Sequence, residues 1–248
     1  MFRYTAAPDL LKGRNILVTG AGSGLGQAAA IAYARHGANV ILLGRTEQKL
    51  EKTYDTIVSN GDAEPTLMVL DLQRAGEADY NQLQEILAQE FGCLHGLLHS
   101  AGVSAAALPL QYQSLGTWTQ LLQVNLSAAF AMTKTCLPLL LQADKASVIF
   151  TSAREGREAR AFHGAYAVAK HGVETLVDIL ADELRNTSRV RVNSLNPGPC
   201  ATDLRRVVFP SEDPSTLPTP ASLMPLYLYL MGDDSLQENG KRFDAQNA

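Results

Sequence analysis

Residues 15–37, NILVTGAGSGLGQAAAIAYARHG, decide the fold. Asn15–Thr19 is a short, β-rich apolar run, and LGQAAAIAYARHG has the spacing of a helix. Between them lies Gly20-Ala21-Gly22-Ser23-Gly24-Leu25-Gly26. A glycine turn between a strand and a helix lets the backbone approach a pyrophosphate, whose charge the helix N-terminus favours. The spacing T-G-x-x-x-G-x-G predicts a dinucleotide site at Gly20, Ser23, Gly24, Leu25 and Gly26, because the strand-loop-helix context that such a motif needs is present.

Outward from this stretch the same rhythm repeats. NVILL (39–43) precedes a polar helix from Glu47 to about Val58, and TLMVL (66–70) precedes a helix ending near Phe91. LHGLLH (94–99) leads to a long helix from about Thr117 to Leu141, which Pro138 is expected to kink or end. SVIFT (147–151), a helix carrying Tyr166, RVRVNSL (189–195) and a seventh strand around Lys241–Phe243 complete the series. Short strands alternating with helices of ten or more residues imply right-handed crossovers and a parallel sheet covered on both faces. The expectation is an α/β, Rossmann-type doubly wound sheet of about seven strands, with residues 1–248 forming a single domain. The proline-rich segment Pro197–Pro225 breaks the rhythm and is expected to be a substrate-covering loop.

Composition excludes other classes. A net charge of −4 with no basic run argues against nucleic acid or an anionic membrane as a partner. LMPLYLYLM and CLPLLL are too short to cross a bilayer, and the N-terminus lacks a signal-peptide pattern. Cys93, Cys136 and Cys200 are odd in number and scattered, which suits a reducing, cytoplasmic compartment. The histidines show no metal spacing, and no G-x-S-x-G elbow marks a serine hydrolase.

Two local patterns carry chemistry. The second strand ends VILLGRT, with Gly44 where an NAD-preferring site places an acid, and Arg45 next. A guanidinium that can pair with a 2′-phosphate predicts NADP(H) in preference to NAD(H). Tyr166 and Lys170 lie one helical turn apart, which puts an ammonium beside a phenol. That neighbour is expected to lower the tyrosine pKa from about 10 towards neutrality, making Tyr166 a proton donor or acceptor.

With these residues in place the chain resembles the single-domain short-chain dehydrogenase/reductases over nearly its whole length. The glycine loop from Thr19 to Gly26, Asp71-Leu72, Asn125 in LLQVNLSAAF, Tyr166-x-x-x-Lys170, and Asn196-Pro197-Gly198 with Thr202 match that family's motifs in order. ILLGRT, GAYAVAK, LADEL and NPG…TDLR resemble its bacterial YciK-type branch. The resemblance implies an NADP(H)-dependent interconversion of a small-molecule carbonyl and a secondary alcohol. Tyr166 would serve as general acid or base, Lys170 would hold the nicotinamide ribose, and Asn125 would help fix a water that links Lys170 to solvent. It further implies cofactor contacts at Asp71, Leu72, Ser100, Ala101, Gly102, Pro197, Gly198 and Thr202, and a homodimer or homotetramer.

The chain departs from the family pattern twice. Ser100 stands where the family usually has asparagine, and Ala153 stands at the position of the catalytic serine. Ser152 is one step out of register, and in an extended strand it would face away. A donor of that kind is typically worth about 100- to 1,000-fold in rate. Three readings follow: a bulge presents Ser152, another donor such as Arg154, His163 or a water substitutes, or the chain binds NADP(H) with little catalysis as a sensor or structural protein. The run Arg154–Arg160 (REGREAR) is expected to be a solvated loop.

Overall fold

The computed structural model describes residues 1–246. Seven strands form one parallel sheet: β1 Asn15–Thr19, β2 Asn39–Gly44, β3 Thr66–Val69, β4 Gly96–His99, β5 Ala146–Thr151, β6 Val190–Asn196 and β7 Arg242–Asp244. Their order is β3-β2-β1-β4-β5-β6-β7. The direction of winding reverses between β1 and β4, which opens a crevice at their carboxyl ends, the place where such sheets bind ligands.

Alternation along each strand builds two cores. Leu17 faces one layer while Ile16 and Val18 face the other. The first layer packs α3 (Glu77–Phe91), α5 (Ala128–Gln142) and α6 (Gly164–Leu184) through Leu83, Met132 and Val177. The second packs α1 (Gly24–Arg35), α2 (Glu47–Ser59) and α8 (Met224–Met231) through Tyr33, Ile57 and Tyr227. Burial on both faces is why the strands read as unbroken apolar runs.

Four expectations need correction. The long helix begins earlier, as α4 (Leu115–Leu122), and a π-helical turn at Gln123–Ser127 interrupts it before α5. Pro138 lies inside α5 without ending it. Cys136, Leu139 and Leu140 are buried around it, so tertiary packing outweighs the lost hydrogen bond. The segment Leu115–Gln142 is, by length and composition, apolar enough to span a bilayer; 56% of its most apolar stretch is buried inside the fold. Finally, residues 197–225 are more than a loop: they contain α7 (Asp203–Val208) and 3-10 turns at Pro214–Thr216 and Pro220–Leu223. LMPLYLYLM, noted only as an apolar stretch, forms the buried α8.

Candidate active site

The glycine loop joins β1 to α1 at the crevice. Gly20 has φ +70°, and a Cβ there would lie 2.7 Å from the Ala101 Cα, so only glycine lets the two loops meet. The Thr19 hydroxyl, whose own proton goes to the Leu98 carbonyl (3.3 Å), accepts hydrogen bonds from Ser100 N and Ala101 N, each 3.1 Å. One side chain thus fastens the loop after β4 to the end of β1. A Cβ at Gly26 would strike the Gly20 carbonyl, so α1 begins packed on the loop itself.

Two connected cavities follow this seam. The larger, about 540 Å³, runs from Gly20, Ser23, Gly24 and Leu25 past Ser100–Gly102 to Tyr166, Lys170, Pro197, Gly198 and Thr202. The smaller, about 170 Å³, holds Arg45, Asp71 and Leu72, and shares Gly20, Ser23, Ala101 and Gly102 with the first. The predicted cofactor residues are thereby brought together, apart from Gly26, which supports the loop from behind. An elongated cradle with backbone amides at its middle and cations at one end fits a dinucleotide bearing a 2′-phosphate. Lys49 also lines the cationic end. It lies in the first turn of α2, just after Arg45, which precedes the helix.

At the other end, Tyr166 and Lys170 project from the first turns of α6. The Lys170 ammonium is 5.7 Å from the tyrosine ring centroid and donates to the Thr151 carbonyl at 2.7 Å. Burial pushes Lys170 down to about 8, with Glu174 opposing. The expected fall in the tyrosine pKa does not occur. Burial raises it, and the carboxylate of Glu155 raises it further. The phenol therefore holds its proton.

Asn125 sits in the π-helical turn and is buried. It donates to Val103 O and Leu121 O (2.9 Å each) and accepts from Val103 N (3.2 Å). Its amide pins the loop after Gly102 to the helix. On the opposite wall, Gly198 (φ +71°) turns the chain after β6, with Gly198 N bonded to Asn196 Oδ1 at 3.0 Å. Gln246 clamps the same turn from outside by donating to the Pro197 and Pro199 carbonyls, 2.7 Å each. Thr202 caps α7, accepting from Arg205 N at 3.2 Å.

Beyond β5 the backbone stays extended, with Ala153 at φ −155°. Ser152 N bonds to Leu195 O (2.8 Å), and the Ser152 hydroxyl is buried beside Gly156 without a hydrogen-bond partner. No bulge carries that hydroxyl into the open cleft. Arg154 is 60% exposed and paired with Glu158. His163 and Glu155 both line the cleft, with Nδ1 and Oε1 4.0 Å apart. The run 154–160 is solvated only in part. Arg157 turns inward to Glu174 (3.2 Å), Asp244 (2.8 Å) and the Phe243 carbonyl (2.9 Å), tying the loop to α6 and β7. His99 is a core residue: burial and Lys170 push its pKa down to about 3, it bonds Thr133 at 2.9 Å, and it stacks on Phe150. Among the described residues no metal-binding cluster occurs.

Residues 14–213 match the family model described as short chain dehydrogenase. The chain is 45% identical over 243 residues to the uncharacterized oxidoreductase YciK of Escherichia coli K12, covering 98% of this chain and 96% of that protein. A solved short chain dehydrogenase from Pseudomonas syringae superposes with a TM-score of 0.97 at 47% identity, covering 99% and 100% of the two chains. Another from Escherichia coli CFT073, complexed with NADPH, superposes with a TM-score of 0.95 at 45% identity, covering 98% and 100%.

Proposed function

The chain belongs to the short-chain dehydrogenase family, an oxidoreductase family, and from that premise we propose that it uses NADP(H), in preference to NAD(H), to interconvert a small-molecule carbonyl and a secondary alcohol. The observation that carries the reading is that one cleft joins the glycine loop to Tyr166 and Lys170. Arg45 and Lys49 at the far end, and a relative complexed with NADPH, support the choice of cofactor. The bound dinucleotide supplies the hydride. Tyr166, held protonated by burial and Glu155, donates its proton to the carbonyl oxygen. Lys170 places a cation beneath the ring and takes the ribose hydroxyls, and Asn125 fixes the loop that forms the wall of the cleft. A phenol that keeps its proton suits reduction better than oxidation.

Ala153 favours a second reading, an NADP(H) binder with little turnover, because its methyl group offers no hydrogen bond to the reacting oxygen. One experiment separates the two: NADPH and NADH oxidation over a ketone panel, with wild type, Tyr166→Phe and Ala153→Ser. Wild-type turnover that Tyr166→Phe abolishes is the expected result. NADPH binding with turnover gained only in Ala153→Ser establishes the binder. The proposal includes self-association as a homodimer or homotetramer through α5 and α6, where Phe130, Val168 and Ile179 are exposed; sedimentation velocity reads that state directly.

A further inference from the structure

A second chamber of about 310 Å³ opens beside Tyr166, sharing Ser104, His163 and Tyr166 with the main cleft. We propose that it is the substrate's apolar subsite, and that the substrate is a ketone, or its alcohol, carrying an uncharged hydrocarbon or aryl group. This rests on the carbonyl–alcohol reading above and names the substrate class for that site.

The two cavities differ in chemistry. The main cleft is lined by Arg154, Glu155, Arg160, Lys170, Asp203 and Arg205 among others. No Asp, Glu, Lys or Arg lines the second chamber; Ala105–Leu108, Leu121, Phe162 and Ala165 give it apolar walls, and Gln113, Ser114 and Thr117 add uncharged polar groups. A charged substituent entering it would lose water and meet no Asp, Glu, Lys or Arg to offset its charge, only hydroxyl, amide and imidazole groups. A hydrocarbon gains by the same transfer. The chamber begins at the catalytic tyrosine, so a group filling it is attached to the carbon that Tyr166 and the nicotinamide address.

Phe162 supplies the independent observation. Among the described residues it is the one non-glycine with positive φ, +74°, and its large apolar side chain is 55% exposed. An L-residue in that region is strained, and neighbouring bonds hold it there. Leu108 N donates to the Phe162 carbonyl (3.2 Å), and Ala165 N donates to Gln113 Oε1 (3.2 Å). Glycine would take this backbone without strain. A phenylalanine kept at such a position forms part of the chamber wall.

The test pairs two series of methyl ketones, one with a lengthening alkyl chain and one of equal lengths ending in a carboxylate. Turnover with NADPH and calorimetric binding to the NADPH-loaded protein are both measured. For wild type, affinity in the alkyl series should tighten about three- to fourfold per methylene until the chamber is full, while the carboxylate series stays flat. Phe162→Gly should weaken the longest alkyl ketone about tenfold, mainly in KM, yet raise Tm by about 2–4 °C as strain is relieved. Ala106→Phe, on the exposed loop, should shorten the longest chain accepted. Equal affinity for the two series overturns the subsite and leaves the reductase reading intact. A Phe162→Gly variant that melts higher but binds every ketone as wild type also overturns it, and one that melts lower shows Phe162 to be structural and removes its support. Alkyl-selective binding with no turnover in wild type supports the subsite while refuting the reaction.

Discussion

The sheet buries a cation near each of its ends, and the two are held differently. Near the amino end, Arg191 on β6 donates to the carbonyls of Leu230 (3.3 Å), Gly232 (3.0 Å) and Ser235 (2.8 Å), and to the Ser235 hydroxyl. These include carbonyls at the C-terminus of α8, which has no partners of its own for them. Near the carboxyl end, Lys170 has the Thr151 carbonyl at 2.7 Å. Burial lowers both groups, Arg191 to about 10 and Lys170 to about 8. A planar guanidinium with five donors can knit a helix end to a strand, and it stays charged throughout the neutral range. A compact ammonium with few partners lies close to titration. One end of the sheet holds its cation fixed in charge, and the other holds one whose charge burial opposes.

Three changes would break or sharpen this contrast. The largest effect is expected from Arg191→Met, which removes the charge-assisted hydrogen bonds to three buried carbonyls and to the Ser235 hydroxyl. It should cost about 3–5 kcal/mol in urea unfolding, while NADPH affinity per folded molecule stays at the wild-type value. Loss of cofactor binding in molecules that remain folded would show that the two ends are coupled.

Next is Lys170→Met, read through pH. Lys170 is lowered on folding, so between about pH 8 and its unfolded value of 10.5 the unfolded chain binds more protons than the native one. Stability therefore rises with pH across that window and the penalty is fully present below it. Wild type should gain about 3 kcal/mol relative to Lys170→Met from pH 8 to 10.5, measured as the difference between the two stability curves. A flat difference would mean that the ammonium is as well solvated in the fold as in water. The smallest effect belongs to Ser152→Ala. Its buried hydroxyl has no partner, so removal should leave stability unchanged or raise it by up to about 1 kcal/mol. A loss of several kcal/mol would reveal a bond that the hydroxyl makes.

The site was unevenly legible. Strand positions could be read to within two residues, because a sheet buried on both faces needs continuous apolar runs. The glycine loop was legible for a related reason: Gly20 and Gly26 stand where another backbone leaves no room for a side chain. The position of Ala153 is legible from its distance to Tyr166 and Gly156, and its extended backbone agrees with the expected facing of Ser152. The direction of the Tyr166 shift is not legible, since spacing along a helix reveals Lys170 but neither the burial of the phenol nor the carboxylate of Glu155 approaching from another segment. Arg157 was misplaced for the same reason, because its partners Glu174 and Asp244 are distant in sequence. The π-helical turn at Asn125 has no local signature beyond the asparagine itself.

The amino-acid sequence by itself determined the class of fold, the dinucleotide loop and the Tyr166–Lys170 pair, because periodicity, glycine placement and one-turn spacing are local properties of a chain. Only the tertiary structure decided which charges face Tyr166, that the Ser152 hydroxyl is sealed away, and that an uncharged chamber opens beside the site. Those depend on side chains brought together from separate crossovers, and burial, which sets their electrostatics, exists only once the layers have closed.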